Sequence, residues 1–274
     1  MIRLIQIEWY KLKHYRPFWF LIGMYGLLAT VLCSSLMFFM EFIKSKGADF
    51  KGFSPTMLPL YDFPDIWQNL SFIASNLKVI LAFIVVMSIF NEINSRIVRQ
   101  NIIDGLSKKE WLGSKLFFIA AIAFCASLLL FLNGLLLGFI YGHPDAYGAV
   151  FQRTEFILAY FLDVFTYLTF AMMLTLLIRK GGLVIVGLLM YTLLFEPFVT
   201  LILYAGPEEI PEYLKALPDF FPVQSLRNLI EFPFKRYLFF HTVDYVPLRS
   251  FLIVLGWLTF NIGTSYLLLT KRDV

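Results

Sequence analysis

Charged side chains are scarce in this sequence. Asp, Glu, Lys and Arg make up 15% of its residues, against about a quarter in an ordinary soluble domain. Too little polar material is present to cover a water-soluble globule of this length. Cysteine is rarer: Cys33 and Cys125 are the two, both inside apolar runs, which excludes a disulfide framework and leaves no thiolate metal site. His14, His143 and His241 fall outside the apolar runs and show no His-Glu-x-x-His spacing, and no Gly-x-Ser-x-Gly elbow is present. No catalytic residue, metal ligand or cofactor site is therefore expected. A phosphate-binding Gly-x-x-x-x-Gly-Lys-[Ser/Thr] loop is also missing, since Gly113-Ser114-Lys115 lacks the upstream glycine. If ATP drives this protein, another chain binds it. The net charge of +4 is small and its bases are scattered, so a nucleic-acid surface is not expected.

Apolar residues are abundant, at 59% of the chain. They gather in runs at 17–40, 70–90, 116–140, 156–178, 183–204 and 250–270, each long enough to cross a bilayer. These predict an all-α polytopic membrane protein with six spans in one transmembrane domain, 1–274, without internal repeats. The first run is too long for the apolar core of a signal peptide and is read as a retained span. The fourth and fifth runs are separated only by Arg179-Lys180-Gly181-Gly182, which predicts a tight helical hairpin. Bases are dense in the short flanks around Arg3 to Arg16, Arg96 to Lys115, Arg179-Lys180 and Lys271-Arg272. They are thinner over the longer segments holding Lys44, Lys46, Lys51, Arg153, Lys215, Arg227, Lys235, Arg236 and Arg249. The denser side is expected in the cytoplasm, with both termini, in a cytoplasmic (inner) membrane.

Between these spans lie several readable segments. Residues 1–16 place Ile2, Ile5, Trp9 and Leu12 at helical spacing, with Arg3, Gln6 and Lys13 between them; this predicts an interfacial amphipathic helix, either a plain anchor or a docking element. In the segment 91–115, Gly105 suits a left-handed helix end and Ser107 an N-cap. Glu110 completes a capping box with Ser107, and Leu106 and Trp111 occupy the staple positions. The expected result is a helix, a sharp turn and a second helix, a knuckle with a charged tip. The loop 205–249 is rich in Leu, Phe and Tyr. It predicts a short helix from Pro211 to near Leu217 and another opening at Pro222, with Val223, Leu226, Leu229 and Ile230 on one face and Pro233 as its stop. Pro55, Pro59 and Pro64, with Tyr61, Phe63 and Trp67, suggest an ordered interfacial segment before the second span. Lys78, Asp163 and Glu196 lie within spans, where charged groups pair or face a wet cavity. Counting inward from the span ends puts these three and Asn133 at one depth, roughly 10–12 Å below the outer boundary. A pairing of Lys78 with Glu196 or Asp163 is expected, with Pro197 loosening its helix.

The layout resembles the permease subunits of ATP-binding-cassette transporters of the type-2 exporter family. The resemblance rests on Glu8-x-x-Lys11-Leu12, on Glu92, on Gly105-Leu106-Ser107-Lys108-x-Glu110 with Lys115, on the long loop before the last span and on the Lys271-Arg272-Asp273 ending. It covers nearly the whole chain. It implies a six-span half-transporter that pairs with a second permease chain, identical or different, within membrane lipid, and with cytoplasmic ATP-binding-cassette ATPase subunits. The same resemblance implies a coupling segment that docks on the ATPase: Asp104, Gly105, Leu106, Ser107, Lys108, Lys109, Glu110 and Trp111, supported by Glu92, Arg96 and Arg99. No substrate is implied. A secondary transporter or channel and a structural membrane component of a larger machine are the alternative readings, the former favoured by broken helices and an ion-binding constellation.

Overall fold

The computed structural model describes residues 8–11, 13–45, 60–205, 211–233 and 245–271. Their regular structure is all helical, without a strand among them. Helix α1 is Arg16–Ser45, α2 Ile66–Ser75, α3 Lys78–Asn94, α4 Ile97–Ile103 and α5 Lys108–Tyr141. Helix α6 is Glu155–Ile178, α7 Gly181–Met190 and α8 Glu196–Ala205, with a π-helical turn Tyr191–Phe195 joining the last two. Short helices α9, Glu212–Lys215, and α10, Pro222–Arg227, precede α11, Leu248–Lys271. Of the N-terminal stripe, Ile2, Ile5 and Leu12 lie outside the described residues, as do Pro55, Pro59, Lys235, Arg236 and the Arg272-Asp273 ending.

Among the described residues five helices are long and apolar enough to cross a membrane, or six when α2 and α3 count as one bent span. Helix α6 is the hub, packing on α2, α3, α5, α7 and α11; 61% of its apolar window is buried, against 22% in α1 and α11. The outer helices turn apolar side chains away from this centre. On α5, Phe124, Leu128, Leu132 and Leu136 recur every fourth residue and are all exposed, while Ala123, Leu130 and Leu137 face inward. Apolar outer faces of that kind, on several helices long enough to cross a bilayer, mark a membrane-embedded protein.

The expectation of one unbroken second span is corrected: α2 and α3 meet at 46° across Asn76 and Leu77. Side chains that compete for helix carbonyls account for the break. Ser75 Oγ and Asn76 Nδ2 both donate to the Phe72 carbonyl, and Asn76 Nδ2 reaches Ile73 as well, so the backbone tightens to i→i−3 bonds there. Helix α2 is held closely by α5, where a Cβ on Gly134 would strike the Trp67 ring and one on Gly138 the Phe63 ring. Trp67 is fully buried, stacks on Phe131 and donates to the Val150 carbonyl at 2.8 Å.

Candidate functional site

The knuckle forms from local signals. Helix α3 ends at Asn94, Arg96 takes a left-handed conformation at φ 56°, and α4 follows. Gly105, at φ 97°, turns the chain out of α4, a conformation that costs glycine no steric clash. Ser107 then caps α5: its Oγ accepts from the Glu110 amide at 3.2 Å, and Glu110 Oε2 accepts from the Ser107 amide at 2.9 Å. Arg96, Arg99, Asp104, Gly105, Ser107, Lys109 and Glu110 are exposed on the tip, together with Ile103 at 75% exposure. Leu106 is half-buried. Lys108 lies against the Thr270 carbonyl at 3.5 Å, and Lys109 lies 5.8 Å from the Tyr266 ring centre, so the tip abuts the end of α11.

Two members of the coupling set do not belong to that surface. Trp111 is 1% exposed and Glu92 5%, which corrects the picture of Trp111 as part of an exposed tip. Both enter a closed ring of charge beneath the knuckle. Lys115 is 0% exposed and donates to Glu8 Oε2 at 2.7 Å and to Glu92 Oε1 at 2.5 Å. Lys11 meets Glu92 Oε1 at 3.2 Å and Glu8 Oε1 at 3.6 Å. Trp111 Nε1 donates to Glu92 Oε2 at 3.2 Å. Two acids and two bases therefore compensate one another, with Glu8, Glu92 and Lys115 buried and Lys11 closing the ring from its half-exposed edge, the condition under which buried ions are tolerated. The ring ties the N-terminal segment to the end of α3 and the start of α5, the two helices that carry the knuckle.

Sequence reasoning missed this ring because its members lie far apart along the chain and Lys115 reads as a topological base. A signal was present: Trp111 and Lys115, four apart on one helix, put a donor and a cation on the same face. A run of buried hydroxyls along α6 also escaped notice. Tyr160 meets Tyr25 and Tyr167 meets Thr192, with O···O distances of 2.5 and 2.8 Å.

The intramembrane residues do not gather into one cluster, although the expected pairing of Lys78 with Asp163 is present. Lys78, at the start of α3, pairs with Asp163 of α6 at 2.5 Å, its ammonium 5.3 Å from the centre of the Tyr167 ring. Glu196 instead accepts from the Gln224 amide of α10. Asn133 donates to Leu129 and, at 3.4 Å, to Thr30 of α1. Equal depth does not bring helices together when the side chains leave the axis in different directions.

Around Glu196 the helix formed by α7 and α8 widens into its π turn. The Glu196 amide bonds the Tyr191 carbonyl, one residue beyond the α-helical partner, which leaves the Thr192 carbonyl free to accept from Arg227 Nη2 at 3.2 Å. Pro197 follows, with no N–H to restore the ladder. On the same side, a cavity of about 510 Å³ opens between α10, the end of α8 and the start of α11, lined by Arg227, Glu231, Asp219, Arg249, Phe72 and Phe232 among others. No group of three or more His, Cys, Asp and Glu side chains suited to a metal occurs among the described residues.

Comparison with curated proteins gives no match. A family profile matches residues 26–274, nine-tenths of the chain, and by that match the chain belongs to the family described as Protein of unknown function (DUF2705).

Proposed function

We propose that this chain is the membrane-spanning permease subunit of a type-2 ATP-binding-cassette exporter, moving a substrate with energy from ATP hydrolysed by a separate subunit. One observation carries the reading. Four of the residues on which the resemblance rests, Glu8, Lys11, Glu92 and Lys115, converge in one largely buried ring of balanced charge directly behind a capped, solvent-exposed knuckle. A docking element must transmit force without deforming, and a closed charge ring fixes the knuckle to two spans and to the N-terminal segment at once. In this reading the knuckle end faces the cytoplasm, and the apolar outer faces of the bundle meet lipid and a second permease chain.

The decisive experiment is co-purification with an ATPase chain in mild detergent, using Ile103→Glu and Arg99→Glu, which change exposed tip residues. Trp111→Ala is unsuitable because that side chain supports the ring. Both tip variants should insert normally and lose ATPase subunit and transport; retention of both would refute docking at the knuckle. A single cysteine at Asp145 should react with an impermeant thiol reagent in intact cells and one at Ser107 should not, and the reverse pattern would invert the orientation. The bend at Asn76 beside the Lys78–Asp163 pair supports a second reading, an ion-coupled secondary transporter. Transport that follows an ion gradient and persists without ATP would select it.

A further inference from the structure

The cavity beside α10 contains two opposite charges that the protein does not neutralise with each other. Asp219 is fully engaged: its Oδ1 accepts from Tyr204 at 2.7 Å and from Asn228 at 3.0 Å, and its Oδ2 lies 3.3 Å from Arg249. Arg227 donates one N–H to the Thr192 carbonyl and keeps its other donors. Glu231 uses its backbone carbonyl, to Gln68, and among the described residues its carboxylate holds no partner. Among the described residues neither Arg227 nor Glu231 enters an ion pair. Both line the same cavity, and Phe72 and Phe232 form an edge-to-face apolar wall beside them.

The position of the cavity narrows the ligand. It opens where α8 ends at Ala205 and α11 begins at Leu248, the level at which apolar spans give way to the membrane surface. Phe232 in its wall and Phe220, whose ring centre lies 5.7 Å from the lining Arg249, are exposed apolar side chains. A ligand carrying both charges and an apolar portion satisfies every part of this arrangement. We propose that the cavity binds the headgroup of a zwitterionic phospholipid, its phosphate on Arg227 and its primary ammonium on Glu231, with the acyl chains along the exposed apolar rim. Through the Arg227 bond to Thr192, occupancy of the site bears on the π turn between α7 and α8. The inference goes beyond the exporter reading and is independent of it, because its assay contains neither ATP nor an ATPase.

The test uses the full chain purified in detergent, with thermal stability read as short-chain lipids are added. Dioctanoyl phosphatidylethanolamine should raise the midpoint saturably, and phosphatidylglycerol of the same chain length, which lacks the ammonium, should bind at least about tenfold more weakly. Glu231→Gln removes no bond to a described residue, so it should fold normally, lose about tenfold in affinity for phosphatidylethanolamine and leave phosphatidylglycerol unchanged. Arg227→Gln should weaken both lipids. Equal binding of the two lipids by the wild type, or a Glu231→Gln variant that binds phosphatidylethanolamine as well as the wild type, would overturn the proposal. Free O-phosphoethanolamine should bind more weakly than the lipid; equal affinity would overturn the assignment to a membrane lipid.

Discussion

The two ends of the helix bundle treat buried charge in opposite ways. At the knuckle end Glu8, Lys11, Glu92 and Lys115 close on one another, and Trp111 takes the remaining carboxylate oxygen of Glu92. Toward the other end ions are paired singly or not at all. Lys78 has one carboxylate oxygen of Asp163 while the other has no partner, Glu196 is held by a backbone amide, and Arg227 by a carbonyl freed by the π turn. A closed ring has one good arrangement and resists displacement. An open set can exchange partners at low cost, so the first region is suited to hold geometry and the second to change it.

The sharpest way to break this contrast is Lys115→Met. It leaves Glu8 and Glu92 facing each other with only the half-exposed Lys11 between them, and breaking a buried pair typically costs about 3–5 kcal/mol. A large fall in thermal stability in detergent is expected, with Lys115→Met/Glu92→Gln recovering part of it because one stranded charge is removed. A double variant less stable than the single would show that the ring is not held by charge compensation. Next in size is the pair in the spans. Lys78→Met strands one charge rather than two, at a cost of roughly 2.5–3.5 kcal/mol on insertion scales, and Lys78→Met/Asp163→Asn should be milder than either single change. A double-mutant cycle reads the coupling directly. Additive losses would mean that the pair contributes nothing as a pair, and Lys78→Met combined with Glu196→Gln should be additive, since Glu196 is bonded to α10.

What was legible in the sequence follows the range of the interactions. The knuckle was readable in detail because a capping box and a left-handed glycine involve residues at most a few positions apart. The apolar helices were readable because hydropathy is summed along one helix; the run at 156–178 lies in α6, Glu155–Ile178, while the run at 116–140 lies in the longer Lys108–Tyr141. Lys115 and Glu8 are 107 residues apart, and nothing local indicates that they meet. The bend at Asn76 was missed although Ser75-Asn76 announced it, because a polar pair inside an apolar run is commonly tolerated without a break. Residue counting gives height along a helix and no azimuth, so Lys78 meets Asp163 as expected while Asn133 faces α1 and Glu196 α10.

The smallest expected effect is also the most informative about the open region. Pro197 withholds the N–H that would bond the Leu193 carbonyl, and its ring would crowd that carbonyl in a regular helix. The π turn relieves the crowding by shifting the Glu196 amide to the Tyr191 carbonyl, and this exposes Thr192 to Arg227. Pro197→Ala removes the cause of the widening. The turn can then close to α-helical bonding, with the Glu196 amide on the Thr192 carbonyl, so the bond from Arg227 becomes redundant. One helix bond is exchanged for one side-chain bond, and net stability should change by less than about 1 kcal/mol. The consequence appears in combination. In the native background Arg227→Gln leaves the Thr192 carbonyl without a donor and should cost roughly 1–3 kcal/mol, whereas in the Pro197→Ala background it should cost almost nothing. Equal losses in the two backgrounds, measured as thermal midpoints in the same detergent, would show that Arg227 does not hold the π turn open and that the helix formed by α7 and α8 is as fixed as the ring at the opposite end.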